Sequence, residues 1–166
     1  MPEVVWVDDF YYPSEWTIRI RTRKPFQLVE MVPDLIRRMM KVTSKDVYEH
    51  DVRYDITVDP RTFYGFWEGR RQDDKWTRTT LRITVQGEQA STDAMGTAHV
   101  RFRGTVTTRY PYNNFIQRTF WWFYNRFFYY RQKRQYIFRI RDEVFQIKER
   151  MLKTFGVSEE EVAQGS

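Results

Sequence analysis

Residues 16–42 read WTIRIRTRKPFQLVEMVPDLIRRMMKV, and a change of period inside this stretch decides the fold class. In WTIRIRTR, Trp16, Ile18 and Ile20 alternate with Thr17, Arg19, Arg21 and Arg23, the two-residue repeat of a strand with one buried face. From Phe26 onward the apolar residues recur at helical spacing instead, at Val29, Leu35, Ile36, Met39 and Met40. Pro33 interrupts that run. Proline suits a first helical position and costs a hydrogen bond inside a helix, so two short helices meeting near Val32 are expected.

Beyond this stretch, residues 46–110 return to period two, with turns at Asp59-Pro60, Gln72-Asp73-Asp74 and Gln86-Gly87. Four strands fit, near 47–58, 62–70, 75–86 and 97–109, and Val4 to Phe10 offers one more. Their inward residues are expected to be Val52, Tyr54, Ile56 and Val58, then Phe63 and Trp67, then Leu81, Ile83 and Val85, then Val100, Phe102 and Val106. Short connections imply antiparallel neighbours. After Pro111 neither Gly nor Pro occurs until Gly156, so Asn113 can cap one helix of about forty residues, roughly 60 Å long. A bend is expected near Arg131 to Gln135, where apolar residues lapse. The expected class is α+β: an antiparallel sheet of five to seven strands, two short helices after the first strand, and a long C-terminal helix packed on the sheet.

At 166 residues the chain suits one domain, placed at residues 1–157 and followed by a loose acidic tail at 158–166. Cysteine is absent, which excludes disulfides, thiolate chemistry and Cys-based zinc sites and fits a reducing, cytoplasmic setting. The opening MPEVVWVDDFYYP carries acids where a secretory signal carries bases, and no apolar run reaches the length of a membrane span. The net charge of +6 is uneven: seven acids in the first fifteen residues and the tail leave +13 over residues 16–155. Such a body attracts anions.

The order of strand, two short helices, antiparallel strands and long final helix resembles the helix-grip superfamily of birch-pollen-allergen-like and START-type lipid-transfer proteins. The resemblance implies a curved sheet wrapped around the final helix, with a hydrophobic cavity between them that holds a lipid-like ligand. On that expectation His50, Tyr54, Trp67, Phe120, Phe123, Phe127 and Tyr130 line or border the cavity of a non-catalytic protein, with a hydrophobic or amphipathic small molecule as partner.

Two other readings come from the residues alone. The sheet face opposite the core collects Arg19, Arg21, Arg23, Arg78, Arg82, Arg101 and Arg103, joined by Arg53, Arg70 and Arg109, between threonines. That face suits nucleic acid or an acidic membrane surface. In the final helix one apolar stripe, Ile116, Phe120, Phe123, Phe127 and Tyr130, continues to Ile137, Val144 and Met151 and is expected to pack on the sheet. A second, Trp121, Tyr124 and Phe128, turns charged farther along; unless the two short helices or the VVWVDDFYY segment covers it within the monomer, it is expected to be an interface, either between subunits of a homo-oligomer or with a membrane surface. His50 and His99 have no metal-type spacing, and neither a nucleophile elbow nor a glycine-rich phosphate loop occurs. No metal, cofactor or catalytic residue is therefore assigned.

Overall fold

The computed structural model describes residues 2–9, 15–156 and 160–161. Its order is β1 (Glu3–Asp9), β2 (Trp16–Arg23), α1 (Gln27–Met40), a single 3-10 turn at Ser44–Asp46, β3 (Val47–Asp55), β4 (Arg61–Gln72), β5 (Thr77–Gln89), β6 (Met95–Pro111), α2 (Phe115–Phe127), α3 (Tyr130–Phe155) and β7 (Glu160–Glu161). The protein is thus α+β with an antiparallel sheet, and its long final helix packs on that sheet.

Strand order is β3-β4-β5-β6-β2-β7, with β1 also on β6. The 17 residues of β6 serve two partners: Met95 to Phe102 pair with β2, and Thr105 to Pro111 pair with β1. The first strands of the chain therefore lie end to end beside the last long one. Period two fixes the faces, since a one-residue slip would invert them. Ile18, Ile20, Leu81, Ile83, Val85, Val100, Phe102 and Val106 are buried on one side under α1 and α3, while the arginines turn to the other.

Four expectations change. α1 is one continuous helix through Pro33, because Leu28, Val29, Val32, Leu35, Ile36 and Met40 all gain a buried place along it. Gly65 and Gly69 let the layers close: a Cβ at Gly69 would overlap Ile36 and Met40 of α1, and one at Gly65 the Trp67 ring. β3 is the edge strand and ends at Asp55, so Val52, Tyr54, Ile56 and Val58 are all exposed rather than inward. In the tail, Glu160 and Glu161 pair with Arg19 and Ile18 as a short edge strand, and the rest of it lies outside the described residues.

The final helix is two helices. The Tyr124 carbonyl accepts from both Phe128 N–H and Tyr129 N–H at 2.9 Å, and the second is a five-residue step. One extra residue turns the phase by about 100°. The buried seam accordingly runs through Trp121, Tyr124 and Asn125, then Tyr129, Lys133, Ile140, Val144, Ile147 and Met151. It starts on the stripe expected to be an interface and ends on the one expected to be core.

Candidate functional site

The junction of the two helices is held by the β4–β5 turn. Asp74 accepts hydrogen bonds from Tyr129 OH, from Tyr136 OH at 2.8 Å, and from the N–H groups of Trp76 and Thr77 at 2.8 and 3.0 Å. Burial alone would raise the Asp74 carboxyl, but these donors outweigh it and hold it below the usual aspartate range. Burial, then the bond to Asp74, push the Tyr129 hydroxyl far up, so it stays a protonated donor. Above this turn Tyr110 stacks on Trp121 at 4.6 Å and 9°, with Trp76, Tyr124 and Tyr129 around it, and Trp121 Nε1 donates to the Pro111 carbonyl at 2.7 Å.

Fastened by that side, α2 leaves the rest of its surface bare. Asn125 is its one buried residue. Ile116, Phe120, Phe123 and Phe127 form a row along the open side and are 50 to 78 % exposed. Phe115, Trp122, Phe128 and Tyr130 stand exposed around it. Contiguous apolar area of this kind marks a contact surface in a stable protein.

Phe120, Phe123, Phe127 and Tyr130 therefore lie on open helix surface, not between sheet and helix, because the five-residue step turns them away. Trp67 is buried under α1, and Tyr54 sits at the sheet edge against Phe26 at 4.3 Å. His50 falls on the opposite face: a bulge between Glu49 and Asp51 shifts the parity, so its ring stacks on Phe66 and its Nε2 lies 3.6 Å from Glu68. Trp121 and Tyr124 are half-buried within the chain, whereas Phe128 is 77 % exposed. The seven residues expected around one cavity are thus not brought together.

The arginine face does form a unit, divided between two grooves. One, of about 730 Å³, is lined by Arg19, Arg53, Tyr64, Gln86 and His99 among others. The second, of about 710 Å³, crosses β4, β5 and β6 and collects Arg78, Arg82 and Arg103. Arg21, Arg23 and Arg101 line neither, standing exposed on the same face. Glu68 closes ion pairs with Arg70 at 2.5 Å and Arg82 at 2.9 Å; burial would raise its carboxyl, but those two guanidinium groups hold it low.

No family model, curated protein or solved structure matches the chain.

What the site does chemically must therefore come from its own residues. Among the described residues no cluster of His, Asp or Glu could hold a metal ion, and no helix is long and apolar enough to cross a membrane. What the residues supply is an apolar row on α2 and a sheet face on which guanidinium groups outnumber carboxylates. Sequence reasoning missed Lys75 and Trp76 as neighbours of the second groove, and it treated Asp74 only as a turn residue. The Gln72-Asp73-Asp74 cluster was the available signal, since consecutive acids in a turn between strands often accept backbone N–H groups.

Proposed function

We propose that the protein is a non-catalytic module that docks on acidic membrane surfaces through α2, supported electrostatically by the arginine-rich sheet face. The observation that carries this reading is the exposed row Ile116, Phe120, Phe123 and Phe127, on a helix fastened by its other side. Aromatic and aliphatic groups opposite a basic surface are the composition of helices that lie in the lipid interface.

Charge selects lipid over a second copy of the chain. Residues 112–141 contain no acid and seven bases; Lys133 is paired with Asp8 and Arg139 with Glu143, which leaves Arg118, Arg126, Arg131, Arg134 and Arg141. A twofold contact through this surface would set those bases against one another with no carboxylate between them. An acidic bilayer supplies both the apolar phase and the counter-charge. Arg118, Arg126 and Arg134 already lie 5.3 to 5.9 Å over the rings of Tyr112, Trp122 and Phe138, which keeps guanidinium groups at headgroup depth when the rings sink. The expected cytoplasmic setting agrees, because the inner leaflet carries the anionic lipids.

Co-sedimentation with vesicles tests it. Wild-type protein is expected to bind phosphatidylcholine vesicles containing phosphatidylserine and to ignore phosphatidylcholine alone. Phe123→Asp with Phe127→Asp should abolish binding while circular dichroism stays unchanged. A double variant that binds like wild type would defeat the proposal, as would a wild-type dimer that the same variant splits while acidic vesicles are ignored.

A hydrophobic small molecule keeps one specific support. A groove of about 390 Å³ between α1 and β3 is lined by Pro33, Val47 and Trp67, and the buried Trp67 Nε1 has no acceptor among the described residues. A ligand carbonyl there would satisfy it. Thermal-shift screening with fatty acids, sterols and aromatic metabolites checks this; no shift from any of them removes the reading.

A further inference from the structure

Resting on the membrane reading, we infer that the groove beside α2 on the outer sheet face is a headgroup site for a lipid bearing two phosphomonoesters. Six cationic side chains reach it, Arg70, Lys75, Arg78, Arg82, Arg103 and Arg109, against two carboxylates, Glu3 and Glu68, an excess of four positive charges.

Three of the six, Arg103, Arg78 and Lys75, have no carboxylate partner among the described residues, and Arg109 has only a long pair with Glu3. Glu68 is spent on Arg70 and Arg82. Arg103 stands directly opposite Arg82 in the β5–β6 register and has no carboxylate partner among the described residues. Like charges directly opposite one another on a sheet repel, and an anion bound between them would relieve what Glu68 leaves uncompensated. Arg78 donates only to the neutral Gln72 side chain, at 3.3 Å. Lys75 lies 6.0 Å over the Trp76 ring, and Arg109 comes no nearer than 3.9 Å to Glu3. Thr80, Thr105 and Thr107 add hydroxyl donors between them.

The ligand follows from this inventory. A phosphomonoester carries about −1.5 to −2 at neutral pH, so two of them match an excess of four. The groove volume, about 710 Å³, falls in the range of roughly 300–1,000 Å³ usual for small-ligand sites. Arginine forks fit phosphate oxygens two at a time.

Position ties the groove to the membrane. Trp76 and Pro111 belong to its lining, and the same two residues hold α2, through the Trp76–Trp121 ring contact at 5.5 Å and the Trp121 hydrogen bond to Pro111. A headgroup in the groove and acyl chains under the aromatic row can thus belong to one bilayer. A nucleic acid in the groove would leave that row in water.

Vesicle binding separates the two ideas. Adding a few percent of bisphosphorylated phosphatidylinositol to phosphatidylserine vesicles should tighten wild-type binding at least about tenfold, at about fivefold for each basic residue engaged. Arg78→Ala with Arg103→Ala should lose that gain: the preference of at least about tenfold for bisphosphorylated over phosphatidylserine vesicles should fall to about one, even though both affinities drop below those of wild type. Phe123→Asp with Phe127→Asp should lose both vesicle types yet still bind soluble inositol bisphosphate by calorimetry. Phosphatidylserine binding with no gain from the bisphosphorylated lipid overturns the headgroup site alone. Loss of all vesicle binding by wild type, with soluble inositol bisphosphate still bound and released in the arginine variant, overturns the lipid source and leaves a free polyphosphate. An RNA oligomer bound more tightly than either phosphorylated probe overturns the ligand class.

Discussion

α2 and α3 come from one stretch of chain without Gly or Pro, yet they dispose of their apolar residues in opposite ways. α3 is the more polar of the two and buries Ile140, Val144, Ile147 and Met151 on one seam, leaving Phe138 and Phe145 partly exposed beside it. α2 is richer in apolar residues and buries only Asn125, holding Trp121 and Tyr124 half-covered. A monomer can hide one stripe of a helix against one sheet. Apolar area beyond that stripe must meet solvent or something else, and in α2 the surplus points away from the sheet.

The largest effect that could break this contrast lies on α3. Ile147→Ala removes a side chain that is fully buried between the sheet and α3, and is expected to cost about 2–5 kcal/mol in urea unfolding. A cost below about 1 kcal/mol would mean that α3 is not the core helix and that the contrast is false.

The periods that were legible in the sequence were local ones. Alternation in WTIRIRTR and in residues 75–86 placed Trp16, Ile18, Ile20, Leu81, Ile83 and Val85 correctly, because a strand's register is fixed by its buried face, while the buried Thr22, Thr77 and Thr79 went unnamed. Parity failed at His50, where a bulge inserts one residue that leaves no mark in composition. It failed again at Tyr129, where a five-residue hydrogen bond rotates the helix. Both are single-residue changes of phase that tertiary contacts select, here the Asp74 turn and the Tyr110–Trp121 stack. The arginine face was legible as a set, whereas its division into grooves depends on which strands are neighbours.

A smaller effect sharpens the contrast at the point where the helices diverge. Asp74→Asn keeps the shape but removes the charge that receives Tyr129, Tyr136 and two backbone N–H groups, and is expected to cost about 2 kcal/mol, the size of hydrogen bonds to a charged group. The pH dependence has a definite sign. The folded Asp74 carboxyl is held below its ordinary value of 3.8, so its contribution is complete above that value and is lost as pH falls through the folded one. The gap in melting temperature between wild type and Asp74→Asn should therefore be constant near neutrality and close below about pH 4. A gap that persists undiminished into that acid range would show that the carboxylate is not what fixes the junction.

The smallest effect belongs to the exposed row itself. Phe123→Ala with Phe127→Ala removes two rings that stack at 5.9 Å and 17° along the open side of α2. Losing that four-residue pair costs about 0.2–0.5 kcal/mol in an isolated helix. Alanine, however, is the better helix former, by up to about 0.7 kcal/mol at each position. No buried contact is lost on the sheet side, since Trp121, Tyr124 and Asn125 keep theirs. The two terms oppose one another with helix propensity the larger, so unfolding free energy should not fall and should rise by at most about 1 kcal/mol. Solubility should rise and light scattering at high concentration should fall, because less apolar area meets water. Urea titration decides the matter: a loss above about 1 kcal/mol would show that the row holds the monomer together, and α2 would then be a second core helix and not a surface for a partner.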